Sequence, residues 1–498
     1  MTISTAVDAS AVARVLGIKT VYKDLRGNSV LNLPQRIAVI GQGATASTYA
    51  ADKVQVTSAA QVADLFGFGS PLHLAARQLF PTNGDGVGTI PVTIYPLVDD
   101  GAGVVSAGDI TPSGTPTEAG AYTVFVNNIA SNTFVISVGD VVADMTAAIT
   151  AAINAVLEMP IIAVDGGTAV DFTSKWKGIS ANDIVVEVAG PTDAGVSFAI
   201  TQATGGLVNP DITDTLALIG DVWESLILNC LNISDTTTLG LYQTFGDGRY
   251  GALTRKPCVV FTGNTATTVT NAIVVSDARK TDKINCQLVA PGSNDLPFVV
   301  AARQLARIAV VANNNPPVDY GSQDATGLIP GDDGDQWNYV QRDQAVKAGS
   351  STIQVKDGVI NLSDTVTFYH PSGDPIPAYR YVCDIVKIQN ILFNLDLIFA
   401  VPEWDGAPLI PDNQPTFNRA AKKPKMAKAA IAALVDSLAL NAIISDPDFT
   451  KASIQAEIDN QNPKRLNIVF TVKLSGNTNI ISIDFEFGFY FGTPTVIA

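Results

Sequence analysis

The chain has 498 residues, with 47 acidic and 31 basic side chains. The resulting charge of −16 disfavours a general nucleic-acid binder, and the length exceeds one ordinary core, so about two to four domains are expected. Charged residues are only 16% against 47% hydrophobic, a balance that suits a protein hiding much of its surface in an assembly.

Residues 1–24 are short on core pattern and predict an extended N-terminal arm. Their opening, MTISTAVDASAVARVLG, lacks a basic region followed by a continuous apolar run, so no secretory signal is expected. No stretch of the chain reaches ~18 uninterrupted apolar residues, so no membrane insertion is expected either. Folding in a cytoplasm follows as the expectation.

Residues 25–98 predict the first part of a mixed α/β core. Ile37 to Ile40 reads as a short buried strand stopped by Gly41 and Gly43. In FGFGSPLHLAARQLF, Ser70 is an N-cap, Pro71 suits the first helical position, and Leu72, Ala75, Ala76 and Leu79 form one apolar stripe. A strand over Thr89 to Tyr95 completes a β-α-β opening. From 99 to 206 the composition turns to Gly, Ser, Thr and Val, and short strands such as AYTVFVNN, AVDFTSK and NDIVVEVAG surround one helix, Ala143 to Val156. This segment predicts an independently folding β-rich insertion.

The core pattern resumes over 207–474. Asp211 or Thr213 caps a helix with Leu216, Leu218 and Ile219, and the strands CVVFTG and KINCQLVA lead to the helix LPFVVAARQLARIAVVAN. STIQVKDG and TVTFYHP are expected to flank a turn near Asp357-Gly358. Two helices follow, VCDIVKIQNILFNLDLIFA and AKAAIAALVDSLALNAI, the second preceded by Lys422, Lys423, Lys425 and Lys428. Next comes a strand with Leu466, Ile468, Phe470, Val472 and Leu474 on one face. After Ser475 to Asn479 the chain closes on a second alternating run, with Ile481, Ile483, Phe485, Phe487, Phe489 and Phe491 on one parity. An adhesive strand at a chain end calls for a partner. The fold class expected is thus mixed α/β with a β-rich insertion and extended terminal arms.

The candidate catalytic motifs fail on inspection. Gly41 and Gly43 are spaced as in a dinucleotide-binding turn, but IAVIGQGATA has no third glycine, opens no clear helix, and is not followed about twenty residues later by a strand ending in an acid. FGFGSPL inverts the order of a nucleophile elbow, and with His73 and His370 as the two histidines, Ser70 reads as a helix cap. Asp332, Asp333 and Asp335 lack calcium-loop spacing, and Cys230, Cys258, Cys286 and Cys383 form no CxxC pair, so reduced core thiols are expected. The expectation is no enzyme, no cofactor and no metal. The lysine cluster reads as a solvated or partner-facing patch.

Taken in order, several stretches resemble the Mu-like tail sheath family of contractile-tailed bacteriophages. They are Ile37 to Gly43, FGFGS-L at Phe66 to Leu72, Asn209-Pro210-Asp211-Ile212 with its helix through Trp223, and Arg249-Tyr250-Gly251. GSSTIQVKDGVINLSDTVTFYHP and the closing strand-linker-strand complete the set. The family's Thr-Thr-Tyr near the late hairpin is here Val366-Thr367-Phe368-Tyr369, and 99–206 is variable.

The resemblance implies a structural subunit that polymerises as stacked hexameric rings around a tail tube and contracts to drive the tube through the host envelope for genome ejection. It implies tube, baseplate and terminator proteins as partners, no direct contact with nucleic acid, and a place in the virion tail after assembly in the host cytoplasm. Residues 475–498 would be a strand-exchange arm, with the face from Leu466 to Leu474 in the receiving sheet. Lys422 to Lys428 would face the tube and 99–206 would lie outside. The alternatives are the sheath of a non-phage contractile injection system and an α/β enzyme with a β insertion.

Overall fold

The computed structural model describes residues 30–50, 52–374, 378–485 and 487–489. The expected arm over 1–24 and the interface candidate Phe491 lie outside the described residues. The chain divides into two compact units, one taking Asn32–Leu392 with the chain from Leu474, the other Phe393–Lys473 with the described Val30 and Leu31.

The first unit is built on the apolar runs anticipated from sequence. β1 (Ile37–Gln42), β2 (Val54–Val56), β3 (Val92–Leu97), β4 (Leu226–Asn229), β5 (Val259–Asn264) and β6 (Asn285–Val289) form one sheet in the order β6-β5-β4-β1-β3-β2. All pairs are parallel except β2 against β3, with Ile37 opposite both Leu226 and Val92. Parallel strands covered on both faces need no polar side, which is why they read as continuous hydrophobic stretches.

The alternation separates two cores. Ile37, Val39, Leu226, Leu228 and Phe261 point to one face, beneath helices Pro71–Leu79 and Pro297–Asn314. Ala38, Ile40, Ile227 and Val260 point to the other, beneath Thr213–Ile219 and Thr236–Arg249. All four cysteines are buried free thiols, and burial pushes the Cys258 and Cys286 thiols up to about 12.

Between β3 and β4 the chain makes two small antiparallel sheets. One runs Val196–Thr204, Val105–Gly114, Val170–Lys177, Ile161–Asp165. The other centres on Gly120–Val126, flanked by Val186–Ala189 and by two short strands, Ile129–Ala130 and Phe134–Ile136. Helix Val142–Asn154 buries Met145, Ile149 and Ile153 against them. The core here is continuous with that of the central sheet: Trp176 is fully buried and meets Phe298 edge to face at 6.1 Å.

One hairpin differs from expectation. Thr352–Lys356 pairs with Val359–Asp364, not with TVTFYHP, because Asp357 and Gly358 both take positive φ and close a two-residue turn on the nearest strand. Thr367 and Phe368 instead donate their backbone N–H groups to the carbonyls of Arg380 and of Asn285 in β6.

The second unit carries helix Pro424–Leu440, helix Pro447–Ser453 and an antiparallel pair, Gln455–Ile458 with Leu466–Val469. Among the described residues no helix is long and apolar enough to cross a membrane, and no group of three His, Cys, Asp or Glu is placed to hold a metal ion.

Candidate assembly interface

In an open parallel sheet the place for a ligand is the crevice where the strand order reverses. Here the strand order reverses between β1 and β4, and the neighbouring carboxyl ends of β1 and β3 are filled by the chain's own side chains. Gln42 donates to Asp99 at 2.5 Å and to the Lys177 carbonyl at 2.7 Å, and the Tyr49 hydroxyl bridges the Gly43 N–H and the Leu97 carbonyl. A Cβ at Gly41 would sit 2.8 Å from the Cys230 Cβ, and one at Gly43 would strike the Tyr49 ring. The two glycines serve close packing.

FGFGS is likewise structural. Ser70 caps its helix by accepting from His73 N–H, and the Gly69 N–H is held by His73 Nδ1 at 3.0 Å. Lys175 reaches across from the insertion to the Phe68 carbonyl while also donating to the Leu157 carbonyl within it, and burial lowers its pKa to about 8. The motif is the seat on which the insertion rests.

The terminal segment is different in kind. Ile481, Ile483, Phe485, Phe487 and Phe489 are each at least 75% exposed, and none of the described residues from 475 to 489 lies in a strand. Phe485 and Phe487 stack on one another at 5.9 Å. Backbone of this pattern completes its hydrogen bonds by joining a sheet edge, and apolar side chains on one parity then bury together.

The candidate receiving face falls in the second unit except for Leu474, which belongs to the first. Leu466 and Ile468 lie on Leu466–Val469, opposite Ile458 and Ala456, and with Phe470, Val472 and Leu474 they are half-buried, while Val469, Thr471 and Lys473 are exposed. The expected single strand through this run is not seen: the strand ends at Val469 and resumes only at Lys473 and Leu474, and Asn467 is half-buried like its neighbours, so the alternation holds from Ile468 onward. The partner strand Gln455–Ile458 escaped the sequence reading: four residues with only Ala456 and Ile458 on the apolar parity give a weak signal. Asp459 closes the connection by accepting from Gln461 N–H, Asn462 N–H and the Asn467 amide. The Asn467 bond, followed by the two backbone bonds, holds the Asp459 carboxyl down to about 2. The sheet has two strands, so its outer edges are open to a further strand among the described residues.

The lysine cluster is less uniform than its sequence suggests. Lys422 is buried, paired with Glu403 at 3.2 Å and lying 5.2 Å from the centre of the Trp404 ring. Lys423 donates to the Gln414 carbonyl, and the Lys425 backbone N–H donates to the Asp412 carboxylate. Lys425 is exposed, and Lys423 and Lys428 are half-buried.

No family model matches the chain. Over 457 residues it is 24% identical to the Mu-like prophage FluMu tail sheath protein of Haemophilus influenzae, an alignment spanning 89% of this chain and 91% of that one. The chain resembles the Mu-like tail sheath proteins along nearly its whole length. Among solved structures it is similar to a sheath tail protein of Desulfitobacterium hafniense, at 12% identity and TM-score 0.45 over 91% of this chain and 100% of the other. A sheath tail protein of Listeria innocua gives 13%, 0.47, 89% and 93%.

Proposed function

We propose that this chain is a structural subunit of the tail sheath of a contractile phage or phage-like injection system, and not an enzyme. The observation that carries the reading is the match over 89% of the chain to a tail sheath protein. Two features of the chain support it: the carboxyl ends of β1 and β3 are packed with the chain's own side chains, and its terminal segment displays an apolar parity that the single chain leaves in solvent.

In this reading subunits form hexameric rings stacked around the tail tube, and the segment from Ile480 joins a neighbour's sheet beside Leu466–Val469 by strand addition. Contraction is a rigid-body rearrangement of subunits, driven by the new subunit interfaces of the contracted state, with the terminal arms as hinges. The tail tube, baseplate and terminator proteins are its partners, the virion tail is its place after assembly in the host cytoplasm, and passage of the tube through the host envelope is the result. Of the lysines, Lys423, Lys425 and Lys428 are the tube-facing set, since Lys422 is buried. The segment 99–206 faces outward.

Negative-stain microscopy of purified protein tests this directly. Tubes or cogwheel rings are expected from the full chain, and folded particles without polymers from a chain ending at Asn479. Polymers of normal length from the truncated chain would overturn strand addition, and discrete particles from the full chain under all assembly conditions would overturn the sheath reading.

A further inference from the structure

The residues that join the two alternating runs, Ser475 to Asn479, read in the sequence as a simple linker. In the structure they hold the root of the terminal segment. Lys387, on helix Val382–Phe399, is fully buried, and its Nζ donates to Asp384 Oδ1 at 2.8 Å, to the Ser475 carbonyl at 2.7 Å and to Asn477 Oδ1 at 2.6 Å. An ammonium has three protons, and these three acceptors satisfy all of them. The Asn477 amide then donates to the Pro317 carbonyl at 2.8 Å, and Cys383 Sγ lies 3.6 Å from Asn477 Oδ1. Tyr381, the residue just before that helix, hydrogen-bonds the Asn479 side chain. Residues 475, 477 and 479 are thus gripped in turn, and the exposed apolar parity begins two residues later at Ile481.

A buried lysine is costly unless it is fully paired, and here two of its three partners belong to the terminal segment rather than to its own helix. We propose that Lys387 is a positioning residue for the terminal arm: it clamps the arm's root to the core, so that the freely reorienting part begins at Ile480 and leaves the core in one direction. The inference rests on the strand-addition reading above for its consequence, and on the described contacts for the clamp itself. A fixed root raises the effective concentration of the arm near a neighbour placed along that direction, because ordering of the root is completed before assembly.

The test uses the full chain with Lys387→Met, close in length and uncharged, and Asn477→Ala, which leaves the Lys387–Asp384 pair intact. In monomers, hydrogen exchange of the 474–479 amides and protease cleavage within that stretch should each rise at least tenfold in both variants. Polymer yield in pelleting assays should fall at least fivefold. Unchanged exchange and cleavage in Asn477→Ala would overturn the clamp, and this variant decides the matter should Lys387→Met fail to fold. Loosened roots with undiminished polymer would overturn the positioning role. The chain ending at Asn479 runs alongside: if it polymerises, strand addition is wrong, whereas polymer lost on truncation but kept at wild-type yield in both clamp variants leaves strand addition standing and removes Lys387 from it.

Discussion

At the scale of single residues, His73 is a group whose protonation the fold constrains. Burial, then the positive charges of Arg77 and Lys175, lower its pKa to about 4, and Nδ1 must stay unprotonated to accept the Gly69 N–H. In the unfolded chain a histidine titrates near 6.5. The unfolded state therefore binds the proton first, so the contribution of His73 to stability is whole above about pH 6.5 and declines as pH falls from there to about 4, with a ceiling of roughly 3 kcal/mol. Denaturant titrations across that window should show this slope in the native chain and its loss in His73→Gln; equal slopes would refute it. Phe487 illustrates the opposite environment. It is 88% exposed, so Phe487→Asp should leave the monomer's melting temperature within about 1 °C while abolishing assembly, since burial of a phenylalanine is worth ~2–3 kcal/mol and a buried unpaired carboxylate costs more. Paired melting and pelleting measurements separate the two effects, and unimpaired assembly would place Phe487 outside the interface.

At the scale of elements, legibility followed the strength of the local signal. The β1 strand, the Ser70-capped helix, Val142–Asn154 and Pro297–Asn314 were readable because a full apolar run, a cap or a long stripe marks each one. Helix Thr236–Arg249 was not, since Gly240, Gly246 and Gly248 lower its helical propensity; Gly246 is required by Ile284, which would lie 2.5 Å from an added Cβ. The arm's alternation was visible in sequence, but its grip on Lys387 was not, because a lysine in an apolar helix does not announce which distant carbonyl it meets. FGFGS was visible as a motif, and only the structure assigns its second glycine. Gly69 has φ of +75°, and a Cβ there would lie 2.2 Å from the Met159 carbonyl oxygen. Gly69→Ala should cost at least about 2 kcal/mol from strain and clash together, read as a lowered denaturation midpoint with unchanged slope. A midpoint equal to the native one would mean the insertion does not press on this turn.

At the scale of the molecule, the question is whether the insertion moves and melts with the core on which it sits. Three kinds of contact tie them: Trp176 on Phe298, the Asn127 amide on the Asn294 carbonyl at 2.9 Å, and Lys175 on the Phe68 carbonyl. The contraction proposed above would require the insertion and the core to respond as one body, and shared burial is the means available. Calorimetry should therefore record the insertion and the central sheet unfolding in one transition. Removing the indole by Trp176→Ala takes away a fully buried side chain and should cost about 3–5 kcal/mol, lowering the temperature of that single transition. Were the insertion a separate body, the same change would lower an early transition assigned to 99–206 and leave the sheet's melting where it was. Hydrogen exchange distinguishes the cases without ambiguity, because coupled unfolding makes protection of β1 and β4 fall together with that of Val170–Lys177, and uncoupled unfolding does not.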